Sequence, residues 1–114
     1  INAEDPYNGF LPSPGKIEHL YTPGGPGVRV DTHVYSGYQI PPYYDSLLAK
    51  LITYGKTREE AINSMKRALD EFLLWPLKTT IPFLKEIISD ERFLKGRFFT
   101  DFVEKFLGKE EKEI

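Results

Sequence analysis

From Val28 to Tyr35 polar and apolar positions alternate. Val28, Val30, Thr32 and Val34 share one face, and Arg29, Asp31, His33 and Tyr35 share the other. A period of two predicts an antiparallel strand buried on one side. Gly15–Tyr21 predicts a second strand, with Ile17, His19 and Tyr21 on one face and Lys16 and Glu18 on the other. The loop Pro23-Gly24-Gly25-Pro26-Gly27 joins the two, and Ser36-Gly37 makes a further turn. Pro41-Pro42 excludes a central strand, because neither residue has an N–H to donate. Leu47–Tyr54 is apolar on both faces apart from Lys50 and Thr53, which predicts a strand buried on both sides and ended by Gly55-Lys56.

The period then changes. Ala61, Ile62, Met65, Ala68, Leu69, Phe72 and Leu73 recur at helical spacing and predict a helix over about residues 57–75. Thr57 and Glu60 supply a capping box at its start, and Pro76 marks its end. A second helix is predicted over 81–89, with Thr80 as its cap, Pro82 in its first turn and Leu84, Ile87 and Ile88 on its buried face. A short turn about Asp90–Leu94 ends at Gly96, and a last helix is predicted over 100–107, capped by Thr100 and stopped by Gly108. The pattern therefore predicts an α+β domain, a small antiparallel sheet over about residues 1–55 covered by C-terminal helices. One domain over 1–108 and a charged tail over 109–114 account for the chain, whose start at Ile1 without a Met reads as a cut through a longer polypeptide.

Composition narrows the function classes. The 114 residues are 40% hydrophobic and 14% aromatic, enough for one packed core. Fifteen Lys and Arg against 17 Asp and Glu give a net charge of −2 and no basic excess, which argues against a nucleic-acid partner. No apolar run reaches the length of a membrane span. With no Cys, disulfides, thiolate metal sites and a cysteine nucleophile are excluded, and a cytoplasmic setting is expected.

Little in the chain carries chemistry by itself. A phosphate-cradling loop would run into a helix through Gly-Lys-Ser/Thr, whereas Pro23–Gly27 runs into a strand and its prolines lack donors, so it reads as a structural or contact loop. His19 and His33 lie in neighbouring strands, but no further ligands stand at metal spacing, so no metal site is expected. Glu4 and Asp5 are adjacent, point to opposite faces of an extended segment, and read as the start of a turn at Pro6. Tyr43-Tyr44-Asp45-Ser46 follows the stiff Pro41-Pro42. It reads equally as an anchor for a site and as a carboxylate paired with an arginine inside the fold. No self-contained catalytic apparatus emerges.

Several motifs, in order, carry a resemblance. Ile1-Asn2-Ala3-Glu4-Asp5-Pro6 is followed by Phe10-Leu11-Pro12-Ser13-Pro14-Gly15-Lys16-Ile17 and by Pro23-Gly24-Gly25-Pro26-Gly27-Val28-Arg29-Val30-Asp31. Then come Tyr38, Pro41-Pro42-Tyr43-Tyr44-Asp45-Ser46-Leu47-Leu48-Ala49-Lys50-Leu51, Arg58 with Ala61, Met65-Lys66-Arg67-Ala68-Leu69, and Lys78-Thr79. To about Gly108 the chain resembles the C-terminal domain of biotin carboxylase.

The resemblance implies an ATP-grasp ligase that makes carboxyphosphate from ATP and bicarbonate, with Mg, and carboxylates N1′ of biotin held on a carrier domain. It implies that the metal-binding carboxylates, phosphate-binding lysines and glycine-rich lid lie upstream. The arginine that stabilises the biotin enolate would fall just before Ile1, so no catalytic residue and no cofactor is expected within this chain alone. What carries over is a biotin-side wall from Asn2, Glu4, Tyr44 and Asp45, closure of the adenine end by Phe99 and Thr100, and dimer contacts at Pro26 and Arg29. Implied partners are the N-terminal and ATP-grasp lobes, the biotin carboxyl carrier domain and a second copy of the parent enzyme. Acetyl-CoA, propionyl-CoA and pyruvate carboxylases share such a component, because the acceptor binds elsewhere. The chain departs from the family pattern at Pro26, where some members have an aromatic, at Trp75-Pro76-Leu77, where a Gly-containing turn is common, and at Thr80, where Asn is common. The competing expectation is a non-catalytic interaction domain, or the C-terminal domain of another ATP-grasp ligase such as one of purine synthesis.

Overall fold

A computed structural model describes residues 1–42, 46–96, 103, 104, 106 and 107. Among these residues the strands pair as four two-stranded antiparallel ribbons instead of one sheet. In chain order the strands are β1 (Glu4–Asp5), β2 (Leu11–Pro12), β3 (Gly15–Lys16), β4 (His19–Tyr21), β5 (Val28–Thr32), β6 (Gln39–Ile40), β7 (Ala49–Thr53) and β8 (Leu73–Trp75). The helices are α1 (Arg58–Glu71), α2 (Ile81–Ser89) and α3 (Glu91–Leu94). Residues 103, 104, 106 and 107 are helical, within the stretch expected to form the last helix. The α+β reading holds. Among the described residues no helix is long and apolar enough to cross a membrane.

The longest ribbon pairs β5 with β7, from Val28 opposite Thr53 to Thr32 opposite Ala49. Opposed residues share a face. Val28, Val30, Ala49, Leu51 and Thr53 turn inward, and Arg29, Asp31, Lys50 and Ile52 turn outward. The alternation read in Val28–Tyr35 is thus present. The expectation of a doubly buried Leu47–Tyr54 is corrected, since Ile52 is 41% and Tyr54 68% exposed. In this ribbon one face packs on the core and Ile52, on the other, is left open. Gly27 is needed at the end of this ribbon. Its φ is +76°, and a Cβ there would stand 2.7 Å from the Tyr54 carbonyl oxygen, while Tyr54 N–H donates to the Gly27 carbonyl at 3.0 Å.

The predicted strand Gly15–Tyr21 divides at Ile17. Before it, β3 pairs with β6; after it, β4 pairs with β8. Ile17 itself donates to Tyr38 and is completely buried. The change of partner ends the shared face, so Tyr21 is exposed while Ile17 is core.

Helix α1 begins as expected. Thr57 Oγ1 accepts the Glu60 N–H at 3.2 Å, and the Glu60 carboxylate accepts the Lys56 N–H at 2.8 Å, one residue before the usual reach of a capping box. Its C-terminal end corrects the 57–75 expectation, because the helix stops at Glu71 and residues 73–75 are a strand. Phe72 and Leu74 are buried and Leu73 and Trp75 exposed, a period of two that pairs β8 with β4. The terminator is therefore not Pro76. The Trp75–Pro76 bond is cis, and Leu77 N–H returns to the Leu74 carbonyl at 3.0 Å.

The core lies between these ribbons and helices α1 and α2, around Ala3, Ile17, Leu48, Ala49, Leu69, Phe72, Leu74 and Ile81. A satellite cluster stacks Phe83 edge-on between Phe10 and Phe106, with centroids 5.6 and 5.7 Å apart.

Candidate functional site

The segment Ile1-Asn2-Ala3 is held along one edge by residues 46–49. Ala3 N–H donates to the Ser46 carbonyl at 2.8 Å, Leu48 N–H donates to the Ile1 carbonyl at 2.8 Å, and Asn2 bridges Leu47. Along the other edge stands one residue of the α1–α2 side of the fold. Thr80 Oγ1 accepts the Asn2 N–H at 3.0 Å, and Thr80 N–H donates to the Asn2 carbonyl at 3.1 Å. The sequence predicts Thr80 as the cap of α2. The structure gives it no side-chain cap bond, and the Ile81 N–H is instead taken by Thr79 Oγ1 at 3.3 Å. Thr79 and Thr80 are the buried polar residues among those described.

Two of the expected wall residues meet here. Positions two apart along an extended segment point the same way. Asn2 Nδ2 accordingly donates to Glu4 Oε1 at 2.8 Å, with both residues half-buried. Asp5 is turned elsewhere and accepts the Tyr7 N–H at 3.0 Å, which opens the turn expected at Pro6. Tyr44 and Asp45 lie outside the described residues. Ser46, next in sequence, is the residue that accepts from Ala3. Beside it, a hollow of about 280 Å³ is lined by Asp31, Thr32, His33 and residues 47–50. Phe99 and Thr100, expected at the adenine end, also lie outside the described residues, as does the tail 109–114.

The expected contact residues are on the surface. Pro26 is exposed in the loop before β5, and the Arg29 side chain is 68% exposed on the outer face of the β5–β7 ribbon. Arg29 Nε donates to Asp31 Oδ1 at 2.9 Å. That hydrogen bond, and then the charge of Asp31, raise the guanidinium above its ordinary value. The two histidines do not share a site. His19 packs on Trp75 with ring centroids 5.8 Å apart, and His33 meets Tyr38 edge-on at 5.6 Å.

Among the described residues no three His, Asp or Glu side chains come together. The second edge of the site, Thr80, escaped sequence reading. Its signal was its place directly after Lys78-Thr79 in a motif already singled out, but a Thr before an apolar helix has a simpler reading as a cap.

Comparison with known proteins gives this small α+β domain its class. The profile of the family described as "Biotin carboxylase C-terminal domain" matches residues 1–105. The chain is 57% identical to biotin carboxylase 1 of Bacillus subtilis over 106 residues, 93% of this chain and 24% of that protein. It is also 57% identical to biotin carboxylase of Haemophilus influenzae over 111 residues, 97% of this chain and 25% of that protein. Among solved structures, the biotin carboxylase domain dimer of Hydrogenobacter thermophilus 2-oxoglutarate carboxylase, in complex with MgADP, ADP and bicarbonate, superposes with a TM-score of 0.88 at 48% identity, covering 91% of this chain and 23% of that one. The chain belongs to the biotin carboxylase C-terminal domain family. It spans about a quarter of the length of the relatives it matches.

Proposed function

We propose that this chain serves as the C-terminal lobe of an ATP-grasp biotin carboxylase, which uses ATP, Mg and bicarbonate to carboxylate carrier-bound biotin. The observation that carries the reading is the match over residues 1–105, which runs from the Asn2–Glu4 segment through the helices. In this reading Asn2 and Glu4, with Tyr44 and Asp45, form the biotin-side wall. Phe99 and Thr100 close the adenine end. Pro26 and Arg29 meet a second copy of the enzyme. The N-terminal and ATP-grasp lobes and the biotin carboxyl carrier domain are the other partners, and the absence of Cys suits the cytoplasm.

In this reading the chemistry of phosphoryl transfer belongs to the other lobes, since the match is to the C-terminal domain alone. The contribution of this chain is to orient and enclose. Its half-buried Asn2–Glu4 pair offers a fixed carboxylate and amide at a wall, and fixed groups assist a reaction without reorganising during it.

The test is a chimera in which residues 1–105 replace the matched segment of the Haemophilus influenzae biotin carboxylase. ATP cleavage is measured with bicarbonate, with and without free biotin. The chimera is expected to cleave ATP in a biotin-dependent manner, and the chain alone to cleave none. ATP cleavage by the chain alone, or a folded chimera without biotin-dependent cleavage, would overturn the proposal.

A further inference from the structure

The Ile1–Ala3 segment bonds through its backbone to residues 46–49, and the Ala3 carbonyl also accepts the Ser13 N–H at 2.8 Å. A single residue supplies both a donor and an acceptor to Asn2. We infer that Thr80 is a positioning residue, whose hydroxyl and N–H clamp the Asn2 backbone and thereby set the face on which the Asn2–Glu4 pair stands. This inference rests on the function proposed above.

Three observations separate it from ordinary capping. Thr80 has helical backbone angles, φ −76° and ψ −2°, and its side chain makes no cap bond to α2. The neighbouring Thr79 accepts the Ile81 N–H, and Pro82 has no N–H to satisfy. Thr80 is also only 9% exposed, so its hydroxyl is committed to Asn2 in a place that bulk water hardly reaches.

The consequence follows from strand geometry. Side chains alternate from face to face, so a slip by one residue turns Asn2 and Glu4 away from the wall. The bonds to residues 46–49 and to Ser13 engage Ile1 and Ala3 and leave both backbone groups of Asn2 to Thr80. The two-bond clamp from Thr80 fixes the Asn2 peptide groups themselves. It also ties the wall to the start of α2, since Leu84 N–H donates back to the Thr80 carbonyl at 2.9 Å.

The experiment uses the chimera with Thr80→Val, which keeps the shape and loses the acceptor, and Thr80→Ser, which keeps the hydroxyl. Steady-state kinetics are followed against free biotin and against ATP, together with thermal unfolding. For T80V, kcat/KM for biotin is expected to fall roughly tenfold or more, as a misplacement of about 1 Å at a site can cost on the order of 100-fold. Its KM for ATP should stay within about twofold of the parent, and T80S should match the parent for biotin. Unchanged biotin kinetics in T80V overturn the inference, as does an equal loss toward ATP and biotin that merely follows a lowered Tm. Should T80V not fold, T80S decides: a folded T80S that loses biotin kinetics equally overturns it. A parent chimera lacking biotin-dependent cleavage removes the proposed function and this inference with it, a result distinct from an active parent with an indifferent T80V.

Discussion

Arg58 sits at the start of α1, and its guanidinium ends another helix. Nη1 donates to the Leu94 carbonyl and Nη2 to the Phe93 carbonyl, both at 2.6 Å, with Cζ 5.4 Å from the centre of the Phe93 ring. The last carbonyls of a helix have no partner within it, and a cation answers both the missing donors and the negative end of the dipole. Arg58→Ala is expected to lower stability by about 1–2 kcal/mol, read as a shifted urea midpoint at constant slope. Arg58→Lys should recover little of it, because an ammonium cannot reproduce the planar fork. Legibility at this scale depends on range. The Thr57–Glu60 contact joins positions three apart and could be read in the sequence. The Arg58–Leu94 and Thr80–Asn2 contacts join distant positions, and nothing local to either residue announces the partner.

Among the elements, the β5–β7 ribbon best repays its pattern, since the alternation in Val28–Thr32 fixed which side chains face out. Its partner misled, because Leu51, Ile52 and Tyr54 describe a doubly buried strand only if something covers the second face. That outer face carries Arg29, Asp31, Lys50 and Ile52. Arg29→Glu should leave folding almost unchanged, because an exposed ion pair contributes about 0–1 kcal/mol. It should weaken self-association of the chimera, which sedimentation velocity at graded concentration would detect. An unaltered dimer would remove Arg29 from the proposed contact. Helix α1 shows the other limit. Phe72-Leu73-Leu74-Trp75 fits a period of 3.6 and a period of 2 alike, and only pairing with His19-Leu20-Tyr21 chooses between them.

For the molecule as a whole, the ordered motifs identified the family, and the α+β class followed from periodicity. What the sequence withheld was the division into ribbons, because strands this short find their partners through chain-distant pairing. The contact between Asn2 and Glu4 joins positions two apart, which lie on one side of an extended segment, whereas the clamp behind them depends on how α2 returns to the N-terminal segment. The same dependence gives the single tryptophan an optical use. Trp75 lies in the ribbon whose two strands are separated by roughly half the chain, and contacts of long sequence separation form slowly. During refolding, indole emission should lag the far-ultraviolet ellipticity of the helices, giving a clock for the moment the two halves of the polypeptide join. Superimposable traces would mean that the join comes first and the helices grow upon it.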